Sequence, residues 1–490
     1  MNILQVSAEV APYAKVGGLA DMTGALPRAW SADGHHVVPV LPLYGTIDRE
    51  RFGITPTSIV LSVACSTWTE YATVYTGTLP DSDVTVYFIR SADYFDRPGI
   101  YGYHDGFDDN DRRFMFLCRA AFELAKAIEF RPDVIHTHDY HTAPMMAMLA
   151  VEYRHTPHFS RTAGVFTIHN MAYQGMYEPG RAMDLGGFPA QDFYPGSWYE
   201  HHGMFNAMKT GIMFAQKVTT VSPTYAEEIR WTPEGMGLQG ALQARSADLI
   251  GVLNGIDTNV WSPATDAHLA VPYTADDLAK KEVNKRALLM ECGLDLGEAS
   301  APLPLMGMVT RLTEQKGLQL LPDVLPSFFE RNLVRMVVLG SGQSDLEEAL
   351  ATIARRYPQH LFLATGYDES LSHRIQAASD YYLMPSLFEP CGLTQLFAMA
   401  YGTIPIVRSV GGLADTVEEY DPVSMRGTGF RFGPFTADAL STAIERALHV
   451  YRREPHWTTL RQQAMARDYS IERTARHYVD VFSWAAPPQS

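Results

Sequence analysis

The feature that most limits what this chain can fold into is an alternation of short apolar runs, mostly continuous in polarity, with longer amphipathic stretches. The runs are Ile3–Ser7, His36–Leu41, Val84–Ile89, Val134–His136, Val165–His169, Lys217–Val221 and Leu249–Leu253. After a break come Leu305–Val309, Arg335–Leu339, Leu361–Ala364, Tyr381–Met384 and Ile404–Val407. Strands buried on both faces of a parallel sheet have this continuous character. Between them lie helical patterns such as Asn110–Glu129 and Ala437–Arg453. Strand–helix–strand repetition over the whole length means an α/β class with parallel sheets.

One sheet holding all of these runs is unusually wide, and 490 residues suit about two to four domains. Two doubly wound domains fit better. The break falls at Asn254–Asp257 (NGID), a turn sequence, followed by Pro263, Pro272 and a charged stretch to about Leu294. A first domain is expected over residues 1–255 and a second over 256–469. Ser470–Trp484 is an amphipathic helical pattern that can pack on either.

The net charge of −16 argues against nucleic acid or an anionic membrane as a partner, since both are held by excess Lys and Arg. One small phosphate ligand bound by a local basic pair remains compatible with it. Cys65, Cys118, Cys292 and Cys391 are scattered without CxxC spacing, which disfavours a disulfide scaffold or structural zinc and points to a reducing cytosol. The N-terminus, MNILQVSAEVAP, is interrupted by Glu9 and lacks the basic start of a signal peptide. No stretch approaches the ~20 apolar residues that span a bilayer. The expectation is a soluble, cytoplasmic protein; its oligomeric state leaves no signature.

Four motifs carry chemistry. Lys15-Val-Gly-Gly18-Leu-Ala-Asp21 follows the first run. Its glycines let backbone approach a ligand, the helix after it offers N–H groups at its positive end, and Lys15 adds charge; a tight structural turn is the plainer reading. It matches neither GxGxxG nor GxxxxGK[ST], so dinucleotide and Walker sites are disfavoured. The hexapeptide VGGLAD recurs at Val410–Asp415, either as a shared strand-to-helix turn or with a shared ligand-facing role. The second motif, His136-Thr-His138-Asp139-Tyr140-His141, lies at the end of a run, where open α/β sheets bind ligands. A zinc site, a polar sugar-binding loop and satisfied core histidines are its three readings; no cysteine or remote Glu-x-x-His supports zinc. His169-Asn170 closes the next run.

The third, Arg311-Leu-Thr-Glu-Gln-Lys316-Gly, places a basic pair after the first strand of the second domain, where both cations can converge on one anion unless the loop is merely solvated. The fourth is Glu389-Pro-Cys391-Gly392-Leu393-Thr394-Gln395. Its helix start can receive a phosphate on backbone N–H groups, while Glu389 suits sugar hydroxyls better than phosphate. Cys391 reads as small buried packing rather than as a nucleophile.

Taken in order, SAEVAPYAKVGGLADM, HTHDYHTA, TIHNMAYQG, VLNGID, TRLTEQKG and MPSLFEPCGLTQLFAMAYGTIPIV closely resemble the glycogen/starch synthase family, in particular its bacterial ADP-glucose-using members. The resemblance implies a GT-B fold: two Rossmann-like domains facing across a deep cleft, with the C-terminal helix (about 470–490) crossing back to the first domain. It implies glucose transfer from ADP-glucose to the nonreducing 4-hydroxyl of an α-1,4-glucan such as glycogen, with retention, no cofactor and no metal. Arg311 and Lys316, with the N–H groups of Gly18 and Gly392–Thr394 and help from Lys15, would stabilise the leaving diphosphate. Asp139, His169, Asn254 and Glu389 resemble glucose-hydroxyl ligands, the His169 carbonyl facing the anomeric carbon, with Asn170 beside it. Tyr367 matches an aromatic that stacks on adenine, and Glu9, Asp21 and Tyr94 match positions lining the cleft. Phe397 stands where relatives in other glucosyltransferase families often carry a ribose-binding Glu, and Tyr140 stands where Trp is frequent. A UDP-glucose-using synthase and a catalytically silent glucan binder are the alternatives. A pyridoxal-dependent phosphorylase is disfavoured by length and by the lack of a Schiff-base lysine signature.

Overall fold

The computed structural model describes residues 1–102, 106–294 and 303–486. The chain divides into two compact units, Met1–Gly255 together with Ile471–Ser490, and Ile256–Ser470. Residues 487–490 of the expected C-terminal helix lie outside the described residues.

The strands of the first unit are β1 (Asn2–Val6), β2 (His36–Pro42), β3 (Thr55–Cys65), β4 (Trp68–Thr78), β5 (Thr85–Arg90), β6 (Val134–His138), β7 (Ala163–Ile168), β8 (Met176–Tyr177), β9 (Glu200–His201), β10 (Met204–Asn206), β11 (Lys217–Thr220) and β12 (Leu249–Gly251). Among the described residues they form a nine-stranded sheet ordered β12-β11-β7-β6-β1-β2-β5-β4-β3 and a three-stranded sheet ordered β8-β10-β9. The seven strands from β12 to β5 pair parallel. Here the structure corrects an expectation of parallel pairing alone, because β3, β4 and β5 are antiparallel neighbours. The reason is visible in their side chains. Leu61, Val63 and Cys65 are buried while Ser62 and Ala64 are exposed, so β3 alternates with period two instead of running continuously apolar. The hairpin closes through Ser66 in the left-handed region (φ 58°) and Thr67.

The second unit contains β13 (Leu305–Val309), β14 (Arg335–Gly340), β15 (Leu361–Thr365), β16 (Tyr381–Met384), β17 (Ile404–Arg408) and β18 (Phe430–Phe432). Its sheet is parallel throughout in the order β15-β14-β13-β16-β17-β18. Counting each parallel set from its own first strand, both units read 3-2-1-4-5-6, the Rossmann order, and the first unit adds one further strand. In that order the chain reverses direction across the sheet between its first and fourth strands. Ligands bind outside the carboxyl ends at that switch point. It falls at β1/β6 in the first unit and β13/β16 in the second.

Helix Ile471–Ala485 packs on the helix Gly18–Ala32 of the first unit. Trp30, fully buried, donates its indole N–H to Ala475 O (3.1 Å) and packs on Phe482 and Tyr478. Burying large aromatic side chains of this kind contributes about 2–3 kcal/mol each.

Candidate active site

At the first switch point, β1 runs into a loop that folds back on Glu9. The Glu9 carboxylate is buried and accepts N–H bonds from Val16 (2.6 Å) and Gly17 (3.1 Å) and the hydroxyl of Tyr101. Burial pushes its pKa upward, opposed by those three donors. Glu9 therefore shapes the Lys15–Gly18 loop from beneath. The Gly17 N–H is spent on it, while Gly18 is exposed at the first position of its helix, where an N–H has no intrahelical acceptor. Lys15 Nζ pairs with Asp21 (2.6 Å) at the loop's outer side.

β6 ends at His138, and Asp139 follows in the left-handed region (φ 52°), rare for a non-glycine residue. Asp139 is buried. Its Oδ1 accepts the N–H groups of His169 (2.7 Å) and Asn170 (3.3 Å), the first residues beyond β7. Desolvation raises its pKa to about 7, with the two N–H bonds pulling the other way. Asn170 caps its own turn, its Oδ1 accepting from Ala172 N–H.

The histidines divide. His136 is core: its Nε2 bonds Thr167 Oγ1 (2.7 Å), and its ring lies among Trp30, Tyr478 and Phe482. His138 Nδ1 meets His169 Nε2 at 3.1 Å. His141 is stacked on Tyr101 with centroids 4.6 Å apart. Burial holds His136 and His169 near pKa 3 and lowers His138 and His141 well below the ordinary range, so all four rings are neutral. Among the described residues no group of three His, Cys, Asp or Glu side chains is placed to hold a metal. The Tyr140 ring rests on Gly175, where a Cβ would approach Tyr140 Cδ2 to 2.6 Å, joining the HDY and AYQG segments.

At the second switch point, Lys316 on the loop after β13 makes a two-pronged ion pair with Glu389 on the loop after β16 (2.9 and 2.7 Å). Ser386 donates to the same carboxylate (2.9 Å). Gly317 (φ 75°) seals the two loops together, since a Cβ there would lie 2.0 Å from Pro385 O. Arg311 is exposed, and no described residue forms an ion pair with it. Gly392, Leu393 and Thr394 lead into the short helix Thr394–Ala400, and Cys391 is a buried thiol.

Three other expected residues, Tyr94, Asn254 and Tyr367, stand apart from these bonded clusters. Tyr94 is buried, packed on Phe116 (5.0 Å), and donates its hydroxyl to Glu70 (2.8 Å), so its ring belongs to the packing beside β5. Asn254 is buried after β12 with no described partner for its Oδ1. Tyr367, on the loop after β15, is 74% exposed. Phe397 stacks flat on Trp261 (3.8 Å, 12°), which makes its position part of the second unit's interior. Tyr101 was not singled out by sequence. It lies 92 residues from the carboxylate it holds, and no local pattern announces that contact.

A family model described as the starch synthase catalytic domain matches residues 2–244, and one described as glycosyl transferases group 1 matches residues 299–462. The chain is 44% identical to a glycogen synthase of Anaeromyxobacter dehalogenans, over 99% of this chain and 100% of that one. It is 41% identical to glycogen synthase 2 of Geobacter sulfurreducens, over 99% of each. Among solved structures, the catalytic domain of starch synthase IV from Arabidopsis thaliana, bound to ADP and acarbose, superposes with a TM-score of 0.90 at 35% identity, covering 99% of both chains.

Proposed function

Because this chain belongs to the glycogen/starch synthase family, glycosyltransferases of the GT-B fold, we propose that it transfers glucose from ADP-glucose to the nonreducing 4-hydroxyl of an α-1,4-glucan, with retention at the anomeric carbon. The observation that supports this most is the chemistry at the β13/β16 switch point: an exposed Arg311 and, on the same loop after β13, a Lys316 held by a buried Glu389.

The transition state of such a transfer is oxocarbenium-like, and negative charge builds on the departing diphosphate. Fixed cations and N–H groups aimed at that charge lower the barrier most. Arg311 supplies a two-pronged donor. Lys316 supplies a point charge that its bonds to Glu389 orient in advance, so little reorganisation is needed when the charge develops. Within the second unit the N–H groups of Gly392–Thr394 add to the same task, and in the first unit the N–H of Gly18 and the ammonium of Lys15 offer anion-binding groups of the same kind. Asp139, Asn254 and Glu389 accept glucose hydroxyls; the orphaned Asn254 oxygen suits a ligand donor. Tyr367 offers an exposed ring for the base, and Glu9 keeps the glycine loop in shape. With the buried imidazoles too weakly basic to take a proton and, among the described residues, no second carboxylate in a nucleophile's role, the C1–O bond to phosphate breaks as the acceptor O4–C1 bond forms on the same face, and the departing phosphate oxygen takes the O4 proton.

The four cysteines are buried and none is in a disulfide, which fits a reducing cytoplasm as the place of this reaction. Among the described residues no helix is long and apolar enough to cross a membrane.

The test is incubation with ADP-[14C]glucose or UDP-[14C]glucose and glycogen, following label in polymer and nucleotide release. Label from the ADP donor, with a kcat/KM at least about tenfold above the UDP donor, is expected; tenfold corresponds to about 1.4 kcal/mol of differential transition-state binding. Glycogen retention with no transfer from either donor would overturn the reading in favour of a silent binder.

A further inference from the structure

We propose that His138 is a positioning residue for glucosyl transfer, its imidazole holding His169 so that the His169 carbonyl keeps a fixed aim. The proposal rests on the glucosyltransferase reading above, and it concerns a residue that reading gives no part.

His169 is tied down at three points, all by two consecutive residues at the end of β6. Its own N–H donates to Asp139 Oδ1 (2.7 Å), the next N–H along, that of Asn170, donates to the same oxygen (3.3 Å), and its ring Nε2 meets His138 Nδ1 (3.1 Å). The Asn170 N–H and the His169 carbonyl belong to one peptide group. In a planar trans peptide these two bonds point opposite ways. Pinning the N–H to Asp139 therefore aims the His169 oxygen away from that carboxylate, and no described residue donates to it. Asp139 holds that peptide through one 3.3 Å bond; anchoring the ring as well restrains the His169 Cα, and with it the carbonyl it carries. His138 supplies that anchor.

The protonation of the pair follows from what surrounds it. His138 is fully buried, and its Nε2 has no described partner. An N–H buried with no acceptor is rarer and more costly than a buried lone pair. The proton of His138 therefore sits on Nδ1 and is donated to His169 Nε2, which leaves His169 protonated at Nδ1. This separates His138 from His136 one layer deeper, whose bonds run inward through Thr167 to Thr219 (2.6 Å) and reach no loop. An inert core histidine has no reason to aim its only donor at the first residue beyond the neighbouring strand.

The experiment compares His138→Asn, His138→Gln and His138→Leu in the full-length enzyme, with kcat, donor KM and melting temperature read for each. Asn carries an amide donor near the place of Nδ1; Gln carries its amide near Nε2; Leu carries none. The expected result is a kcat for H138N within about threefold of wild type, and a loss of about tenfold in H138Q and H138L with donor KM little changed, as removal of one oriented hydrogen bond implies. A kcat within twofold of wild type for H138Q or H138L would overturn the proposal. So would losses in all three that simply follow the order of their melting temperatures, the mark of a purely structural role. A measurement needing no variant at 138 is 15N NMR of histidine-labelled wild type, with the His169 signals assigned through His169→Asn. A proton on His169 Nδ1 is expected, and one on Nε2 overturns the assignment. Wild type serves as the control that separates the two ideas. If it moves no glucose from any donor, the functional reading fails; if it is active and H138Q and H138L are too, only the role of His138 falls.

Discussion

The two switch points solve opposite problems with the same strand order. At β1/β6 the polar groups are sunk into the protein: Glu9 and Asp139 are buried and bonded largely to backbone, His138 is buried against the His169 ring, and burial shifts the pKa of each toward its neutral form. At β13/β16 cations are retained, as an exposed Arg311 and a Lys316 paired with the buried Glu389. The first arrangement gives fixed geometry and little charge, which suits hydroxyl recognition. The second gives cations able to meet a phosphate. The shared topology selects only where a site lies; burial and the pairing of charges decide what chemistry it offers.

The repeated hexapeptide shows the same divergence at smaller scale. In Val16–Asp21 a Cβ placed on Gly17 meets nothing within 4 Å. In Val410–Asp415 a Cβ on Gly411 would lie 1.9 Å from Glu389 O, and one on Gly412 would lie 2.2 Å from Cys391 O. One copy leaves its surface open and the other is jammed against the Glu389–Cys391 backbone it helps to place. The largest predicted effect follows. Gly412→Ala should lower the melting temperature by more than about 10 °C or abolish soluble expression, because the clash is with backbone and cannot relax cheaply. Gly17→Ala should leave it within about 2 °C, as an open surface position does, while raising the KM for the donor. Equal thermal losses would break the contrast between the copies.

A smaller effect sharpens the contrast in burial. Asp139 titrates near 7 when folded against an ordinary value of 3.8, so between those values the folded chain keeps a proton that the unfolded chain has lost. Stability from this group is complete below pH 3.8 and declines as pH rises through about 7. Asp139→Asn removes the titration. Relative to wild type, the variant should gain about 2.7 kcal/mol between pH 5 and pH 8 in urea unfolding, the worth of roughly two pH units. A difference that stays flat with pH would show that Asp139 is not held in a desolvated setting.

Much of this was legible before the structure. Continuous apolar runs gave the parallel strands nearly to the residue at Leu305–Val309 and Tyr381–Met384, and the motifs at their ends fell on the loops that carry the polar clusters. The hairpin Thr55–Thr78 was not legible by the same rule, because its strands bury one face only. The two roles of the HTHDYH segment could not be separated either. Strand period places His136 and His138 on one face, but only the pairing of β6 with β7 reveals that one bonds inward and the other to the rim. Contacts such as Tyr101 to Glu9 and Lys316 to Glu389 join residues far apart in sequence, and long-range geometry of that kind is set by strand order, which no local pattern encodes.

The account stands on cations of the second unit stabilising a departing diphosphate. Its most direct test is kcat with saturating ADP-glucose and glycogen for Arg311→Ala and Lys316→Ala. A fall of about 100-fold or more in each, with glycogen affinity retained, is the predicted result, in line with removing one preorganised charge donor. A turnover within about threefold of wild type in either variant, on that same scale, would contradict the account.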